Sequence, residues 1–356
     1  MLNLSIKTIL LIVILTILNI LLLVFPLNPV IIKVVILTIS YLIFGIIIYN
    51  MIILPIKNLE QKSKAFNEGG ISSGFEIKRK DEIEKLAYSF NQMATSVQQK
   101  IIQAENQNKS MLFELKMAAA IQKTIYPKLR ENDRFKLVVY HNPMIEVSGD
   151  YHDVIDLGDN KYGFLIADVS GHSIAAALIT MRIKEIVGNA AYKFNNTKDL
   201  IMHINSEFEN MLEEYERFFT AFYIILNENN EVIYTNAAHP KALLLRSDQK
   251  EISKLDTNGC IIGLSKVNNI MYDSKSTSLN PGDKLILLTD GITESINNDG
   301  EEYGVERLYS LLKKNVALPC DEILKVILAD YHDFVDINKR KDDETIMIIE
   351  IKKASS

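Results

Sequence analysis

Cysteine is scarce in this sequence: there are two among 356 residues, Cys260 and Cys320, and they lie far apart. Such a pair suggests neither a disulfide framework nor a cysteine-rich zinc site. Positive charge is not in excess either, since 39 Lys and Arg residues face 45 Asp and Glu residues, for a formal net charge of -6. This balance argues against nucleic acid as a partner.

Charged residues are absent from two apolar stretches near the N-terminus, 9–27 and 34–54. Because a helix rises about 1.5 Å per residue, each stretch can cross a hydrocarbon core of about 30 Å. We predict that residues 1–54 form a membrane anchor of two transmembrane helices. A cleaved signal peptide is the alternative for the first stretch, but that run is long, no small-residue cleavage site follows it, and a second run comes at once.

The link between the two predicted spans is short, so both ends of the anchor face the same side of the membrane. Lys57, Lys62 and Lys64 follow the second span, whereas the link contains only Lys33. The excess of lysine after the second span favours a cytoplasmic location for the rest of the chain. We therefore predict a multi-pass protein of the cytoplasmic (inner) membrane whose C-terminal part is cytoplasmic.

A helix–connector–helix pattern follows the membrane anchor, from Pro55 to about residue 100. Counting in sevens from Ile83 gives an apolar series, Phe90, Val97, Ala104, Met111, Ala118 and Ile125, which is typical of a coiled coil. The partner series begins with Leu86 and Met93 but then becomes polar at Lys100, Gln107 and Glu114, which predicts a weaker or re-registered middle section.

The proline after the span and the Asp-Glu-Ile-x-x-Leu-x-x-x-Phe-Asn-x-Met pattern from Asp81 resemble a HAMP domain. A plain helical stalk is the alternative. HAMP modules assemble as parallel dimers, so the resemblance implies a homodimer formed by residues 55–100 and by a signalling helix over 101–127. The heptad series independently predicts the same assembly.

From about residue 134 the sequence alternates short β-rich runs with amphipathic helices, which predicts a layered α/β domain over 128–356. The predicted strands are 135–140, 162–167, 221–226, 231–235, 284–288 and 345–351, and the predicted helices are 174–192, 198–215, 305–314 and 321–336.

Four acidic blocks lie next to small residues or at the ends of apolar runs. They are Ser148–Asp153, Ala167–Ser173, Thr289–Glu294 and Asp342–Thr345, which read SGDYHD, ADVSGHS, TDGITE and DDET. Each aspartate alone would be an ordinary turn residue. If the four converge, their mutual repulsion requires cations, and oxygen ligands without a cysteine or histidine cluster favour Mg²⁺ or Mn²⁺.

In order and spacing these blocks, with NAAHP at 236–240, closely resemble the PPM superfamily of metal-dependent protein phosphatases in its SpoIIE-like branch. The resemblance runs from about 115 to 351. It implies an α-β-β-α sandwich and a serine/threonine protein phosphatase that uses two divalent cations, Mn²⁺ or Mg²⁺.

By the same resemblance, Asp168 bridges the two metals, and Asp150 with the backbone carbonyl of Val169 completes one metal site. Asp290 and Asp342 complete the other, with Asp343 as the alternative to Asp342. Asp150, Asp168 and Asp290 are the predicted catalytic residues, and water held by the metals attacks the phosphorus directly.

The chain departs from the family pattern at Ser148, Ser173 and Ala238, where glycine is usual. A positive φ would be costly at these positions. His172 and His239 either act on the leaving group or hydrogen-bond the loop backbone, and we favour the structural role. No arginine lies beside the first aspartate block, which predicts weak affinity for small phosphoesters.

The branch usually acts on a phosphorylated anti-sigma-factor antagonist, so the resemblance implies such a protein as the substrate, in signal transduction by partner switching. A catalytically inactive signalling protein of the same fold is one alternative, although all four predicted ligand positions are acidic. A HAMP-linked histidine kinase or chemoreceptor is another, but the C-terminal half lacks a plausible glycine-rich ATP lid.

Overall fold

The computed structural model describes residues 12–17, 19–20, 30–67, 81–128, 131–171, 173–214, 217–247, 252–263 and 272–352. The chain divides into two compact units, Met1–Ser110 and Met111–Ser356. In the described residues the first unit is helical, and the second contains all the strands.

The first unit begins with helical residues 12–17 and 19–20. Its longer helices are α1 (Val30–Ile48), a π-helical turn (Tyr49–Ile53) and α2 (Leu54–Asn67). The π-helical turn ends two residues before Pro55, which has no N–H to donate a regular helical hydrogen bond to the preceding turn. Ser40 Oγ donates a hydrogen bond to Asn19 Oδ1 at 3.2 Å, which joins the two predicted spans.

Among the described residues, one helix, Ile32–Gln61, is long and apolar enough to cross a membrane. It contains the whole second predicted span. Much of the first predicted span, 9–27, and the predicted HAMP connector lie outside the described residues. The two-span arrangement therefore stays a prediction.

The long helix α3 (Glu82–Gln122) begins where the acidic first turn predicts. Asp81 Oδ1 accepts a hydrogen bond from the backbone N–H of Glu84 at 3.3 Å, which caps the start of the helix. The helix continues without a break through the polar positions Lys100 and Gln107, and its last twelve residues belong to the second unit.

Besides the end of α3, the second unit contains ten strands and five α-helices within its described residues. The strands are β1 (Phe135–Asn142), β2 (Asp150–Gly158), β3 (Lys161–Val169), β4 (Phe219–Leu226), β5 (Glu231–Ala237), β6 (Ala242–Leu245), β7 (Ile252–Leu255), β8 (Lys275–Ser278), β9 (Lys284–Leu288) and β10 (Glu344–Ile351). The helices are α4 (Ile174–Ala190), α5 (Thr197–Glu214), the single turn α6 (Asp290–Thr293), α7 (Val305–Lys314) and α8 (Cys320–Phe334).

The strands form two antiparallel sheets, in the orders β1-β10-β9-β6-β7 and β2-β3-β4-β5-β8. One apolar layer lies between the sheets and includes Phe164, Phe222 and Met347. A second layer joins β2–β4 to α4 and α5, and a third joins β9 and β10 to α7 and α8. The unit is therefore an α-β-β-α sandwich, as predicted.

The predicted strands and helices of this unit are confirmed, with ends that differ by at most two residues. The sequence interpretation missed β2 and the short strands β6, β7 and β8. In β2, Tyr151 and Ile155 pack towards the helices, so Asp150 and His152 face the layer between the sheets. The β2–β3 hairpin turns at Asp159 and Asn160, whose φ values of 49° and 55° fit a tight hairpin turn.

Candidate functional site

The four acidic blocks meet at one end of the sandwich because of strand register. Asp150 at the start of β2 is paired with Asp168 near the end of β3. In the other sheet, Asp290 follows β9 and Asp342 lies just before β10, which is hydrogen-bonded to β9. Thr289 and Thr345 link the ends of β9 and β10, since Thr289 N donates to Thr345 O at 3.1 Å.

Asp150 is buried, and its two oxygens have different surroundings. Oδ2 accepts hydrogen bonds from the hydroxyls of Thr289 at 2.8 Å and Thr345 at 2.5 Å. Oδ1 is buried and has no hydrogen-bond partner. A buried carboxylate oxygen without a partner is costly, so this oxygen is well suited to bind a cation.

Asp168 lies beside three other carboxylates. Burial, followed by the negative charges of Asp290, Asp342 and Asp343, raises the pKa of Asp168 to about 8. Burial and the charge of Asp168 also raise the pKa of Asp150 well above its usual value. Cations would relieve this repulsion and favour the ionised carboxylates.

Asp290 begins the single helical turn α6, and its Oδ1 is buried without a hydrogen-bond partner. The next residue, Gly291, packs against the backbone carbonyl of Asp343 so closely that a Cβ atom would overlap it. The absence of a side chain at Gly291 thus allows the Asp290 loop to approach the segment that carries Asp342.

Asp342 and Asp343 have different roles in the structure. Both oxygens of Asp343 accept backbone hydrogen bonds, Oδ1 from Met144 and Oδ2 from Gly149, each at 2.6 Å. Asp343 therefore ties two loops together. Asp342 is half-buried, and its charge is among those that raise the pKa of Asp168. This geometry favours Asp342 as the ligand.

The backbone carbonyl of Val169 lies against Gly149, where an added Cβ would be 2.8 Å from the carbonyl oxygen. Val169 N also donates to the carbonyl of Gly149 at 3.1 Å. The segment around Val169 is thus held to the residue next to Asp150. Ser148, in place of the first usual glycine, is buried, and its hydroxyl accepts a hydrogen bond from Asp150 N at 3.0 Å.

The remaining acidic and histidine residues of the motifs serve other roles or lie outside the described chain. Asp153 faces the helices and forms an ion pair with Lys184 at 2.8 Å. His239 is buried, its Nδ1 lies 2.7 Å from Thr220 Oγ1, and burial lowers its pKa to about 3. A neutral imidazole cannot protonate a leaving group at neutral pH, which favours the structural role for His239. His172 lies outside the described residues.

Ala238 has a φ of 57°, so the conformational strain expected where alanine replaces glycine is found at this position. Ser173 has an extended backbone and caps α4, since its hydroxyl accepts a hydrogen bond from Ala176 N. Glycine is therefore not required at Ser173.

The end of α3 contacts the site directly within the second unit. The side chain of Gln122 is buried, donates to the carbonyl of Ser148 at 2.7 Å and accepts from the N–H of the same residue at 3.0 Å. Four residues later, the hydroxyl of Tyr126 donates to the carbonyl of Asp150 at 3.1 Å. These contacts were not anticipated from the sequence, because Gln122 and Tyr126 lie outside the acidic blocks.

Among the described residues, no group of three or more His, Cys, Asp or Glu side chains already forms a metal cluster. The fit to divalent cations rests on the unpartnered oxygens of Asp150 and Asp290 and on the raised pKa of Asp168. All available ligands are oxygen atoms, the ligand type that Mg²⁺ and Mn²⁺ prefer.

Comparison with known families gives two matches. Residues 158–352 match the family described as Stage II sporulation protein E (SpoIIE), and residues 47–99 match the HAMP domain. The first match begins after Asp150, whereas the folded unit begins before it. The second match covers the predicted helix–connector–helix segment.

Three relatives are similar over much of the chain. Phosphoserine phosphatase RsbP of Bacillus subtilis is 28% identical over 244 residues, which cover 67% of this chain and 58% of that protein. Protein IcfG of Synechocystis is 26% identical and covers 83% of this chain and 51% of its own length. Phosphoserine phosphatase RsbU of Bacillus subtilis is 24% identical, and the match covers 75% of this chain and 76% of that protein. The chain thus spans little more than half the length of the first two relatives.

Solved structures show the same fold at low sequence identity. The SiaA-PP2C domain of Pseudomonas aeruginosa superposes with a TM-score of 0.60 at 19% identity, covering 68% of this chain and 98% of that domain. The PP2C phosphatase domain of SpoIIE from Bacillus subtilis gives a TM-score of 0.51 at 20% identity, and the match covers 61% of this chain and 63% of that chain. The second unit therefore has the PP2C-like α/β fold.

Proposed function

We propose, from the premise that the chain belongs to the SpoIIE family, that it is a membrane-anchored serine/threonine protein phosphatase dependent on Mn²⁺ or Mg²⁺. The main support is the meeting of Asp150, Asp168 and Asp290, which leaves two buried carboxylate oxygens without partners. Two relatives, RsbP and RsbU, are named phosphoserine phosphatases.

In this proposal Asp168 would contribute to both metal positions. Asp150 and the carbonyl of Val169 would hold one cation, while Asp290 and Asp342 would hold the other. Two divalent cations would supply an acidified water and neutralise the charge that develops on the phosphoryl group. The chain itself orients this ligand. The hydroxyls of Thr289 and Thr345 donate hydrogen bonds to Oδ2 of Asp150, so Oδ1 remains available to a cation.

The proposed substrate is a phosphoserine or phosphothreonine on a regulatory protein, and specifically a phosphorylated anti-sigma-factor antagonist. The family resemblance supports this choice. The apolar helix Ile32–Gln61 and the HAMP match support an anchor in the cytoplasmic membrane, with the catalytic unit in the cytoplasm. The HAMP match and the heptad series of α3 support a parallel homodimer.

The test compares the full chain in detergent with Asp168→Asn, using release of phosphate from a phosphoserine protein. We expect Mn²⁺-dependent hydrolysis by the wild type and none by Asp168→Asn. The matched control is Asp156→Asn, because Asp156 lies on β2 but is exposed. Full Mn²⁺-dependent activity of Asp168→Asn would refute the assignment. No hydrolysis by either protein would favour an inactive signalling protein.

The same variant is also expected to remain folded. Replacing a carboxylate by an amide removes repulsion from Asp290 and Asp342 when no metal is bound. Thermal unfolding in the presence of a chelator should therefore occur at the same temperature as in the wild type or at a higher one. A large decrease would mean that Asp168 is required for folding, and its loss of activity could then not be assigned to catalysis.

A further inference from the structure

A positively charged side chain lies beside the second acidic block. Strand β3 pairs with β4 so that Asp168 is opposite Thr220 and Val169 is opposite Phe219. The pairing continues beyond the strands, because Ser170 N donates to Phe218 O at 3.0 Å. Arg217, the residue before Phe218, is therefore held at the same end of the sheet as Asp168.

The guanidinium group of Arg217 packs onto the loop that follows Asp168. Its Nη1 donates to the carbonyl of Ser170 at 2.5 Å. Nη1 also lies over Gly171, where an added Cβ atom would overlap it. Gly171 has a φ of 88°, so glycine permits both the turn of this loop and the close approach of Arg217.

Arg217 differs from the other arginines in the described part of the chain. Ion pairs with Asp or Glu are formed by Arg182, Arg246, Arg307 and Arg340. Arg134 has no acidic partner, but its guanidinium donates to three oxygen atoms of the β2–β3 and β4–β5 turns. Within the described residues, the side chain of Arg217 has one acceptor, the carbonyl of Ser170, and it is half-buried.

We propose that Arg217 binds the phosphate of the substrate through the guanidinium donors that Ser170 leaves available, an inference that rests on the phosphatase function proposed above. A phosphate monoester approaching four carboxylates meets repulsion, and a guanidinium held against the loop that follows Asp168 would oppose it. The planar fork of arginine matches two phosphate oxygens, which a lysine cannot do. Phosphate recognition then comes from a residue outside every acidic block.

The experiment uses the full chain in detergent with Mg²⁺ and compares Arg217→Ala and Arg217→Lys with the wild type. Charge-assisted hydrogen bonds of this kind predict a rise in KM for the phosphoserine protein of about 10- to 100-fold in Arg217→Ala. We expect the KM of Arg217→Lys to lie between those of the wild type and Arg217→Ala. The dissociation constant of inorganic phosphate, measured by titration calorimetry, should rise in the same order. Arg182→Ala is the control, because Arg182 lies on α4 and its side chain, 39% exposed, forms an ion pair with Glu185 at the surface.

Two further readouts separate phosphate binding from a merely structural role. The affinity for Mg²⁺ and the unfolding temperature of Arg217→Ala should match those of the wild type. If the activity loss is accompanied by an equal loss of Mg²⁺ affinity or by early unfolding, Arg217 only holds the loop and the inference is wrong. It is also wrong if Arg217→Ala binds phosphate as tightly as the wild type.

The phosphate titration requires no turnover and so distinguishes the two proposals. A wild type that binds phosphate through Arg217 but releases none from a phosphoprotein would contradict the proposed phosphatase activity and support the binding role of Arg217. A wild type that is active, and whose KM and phosphate affinity do not change in Arg217→Ala, would contradict this inference alone.

Discussion

Two threonine hydroxyls determine how Asp150 is presented. Thr289 and Thr345 both donate to Oδ2, so the carboxylate cannot rotate without losing two charge-assisted hydrogen bonds. Thr345 is also linked to the ring of His141, whose Nδ1 lies 2.9 Å from the threonine hydroxyl. Such partners of ligating groups commonly change metal affinity when they are removed.

We expect Thr345→Val to weaken Mn²⁺ binding about tenfold, because the substitution keeps the shape of the side chain and removes the donor. Titration calorimetry of the full chain measures this affinity directly. Thr345→Ser is the matched control, since it retains the hydroxyl and should bind Mn²⁺ nearly as the wild type does. Equal affinities in all three proteins would show that Asp150 needs no orientation by Thr345.

Ala238 carries a backbone strain that glycine would relieve. Its φ of 57° lies in the left-handed region, where a Cβ atom is unfavourable. We expect Ala238→Gly to increase the free energy of unfolding by about 1 kcal/mol, measured by denaturant titration. Ala237→Gly, at the end of β5, should instead be destabilising, because Ala237 is buried in a regular strand. A loss of stability in Ala238→Gly would contradict this account.

At the scale of elements, strands with continuous apolar runs, such as β9 and β10, could be predicted from the sequence. Strand β2 could not, because its buried positions towards the other sheet begin with the polar residues Asp150 and His152, and Asp156 further along the same face is exposed. The strands β6, β7 and β8 have four residues each and are too short to show an alternation of apolar and polar residues. Their formation depends on pairing with neighbouring strands.

The acidic residues of the candidate site could be predicted from the motif blocks, because each block is a short contiguous segment whose order and spacing can be read directly from the sequence. The contacts of Gln122 and Arg217 could not be predicted in the same way. Gln122 is 26 residues from Ser148, and Arg217 is 47 residues from Ser170. Such pairs arise from the packing of a helix end on a strand and from strand register, which no local pattern encodes.

The junction between α3 and β2 is the element that connects the predicted signalling helix to the site. Gln122 makes hydrogen bonds to both backbone groups of Ser148, two residues before Asp150, and to Thr180 on α4. A rotation or shift of α3 would break this set of bonds and displace the start of β2. The junction therefore offers a physical route by which the helix could adjust the position of Asp150.

We expect Gln122→Leu to lower the free energy of unfolding by about 1–3 kcal/mol, because buried backbone groups of Ser148 lose their partners. The affinity for Mn²⁺ should fall as well. Gln98→Leu on the same helix is the control, since Gln98 is exposed and lies outside both heptad series. Denaturant titration and calorimetry measure the two effects. Unchanged Mn²⁺ affinity in a destabilised Gln122→Leu would mean that the junction supports the fold and does not position Asp150.

At the scale of the whole molecule, several apolar heptad residues of α3 remain exposed within a single chain, although Ile83 at the start of the series is buried. Val97 is 39% and Met111 57% exposed, and Leu86 and Met93 are exposed to a similar extent. Apolar residues in a coiled-coil series that remain in water favour assembly with a second copy.

We expect the fragment 55–356 to be a dimer in sedimentation experiments, since it retains the HAMP segment and the heptad series. Val97→Glu places a charge in the predicted interface and should shift the fragment towards a monomer. Gln99→Glu is the control, because it adds the same charge outside the apolar series. A monomeric wild-type fragment would count against the coiled-coil interpretation.

The order in which the site residues appear in the chain has a consequence for biosynthesis. Asp150 and Asp168 meet across a local hairpin, which can form soon after β3 leaves the ribosome. Asp342 arrives with β10, the last of the described strands along the chain, which must insert between β1 and β9. A nascent chain that lacks β10 therefore has an incomplete set of the proposed ligands, and the proposed enzyme could not act on regulatory proteins before this strand had been made.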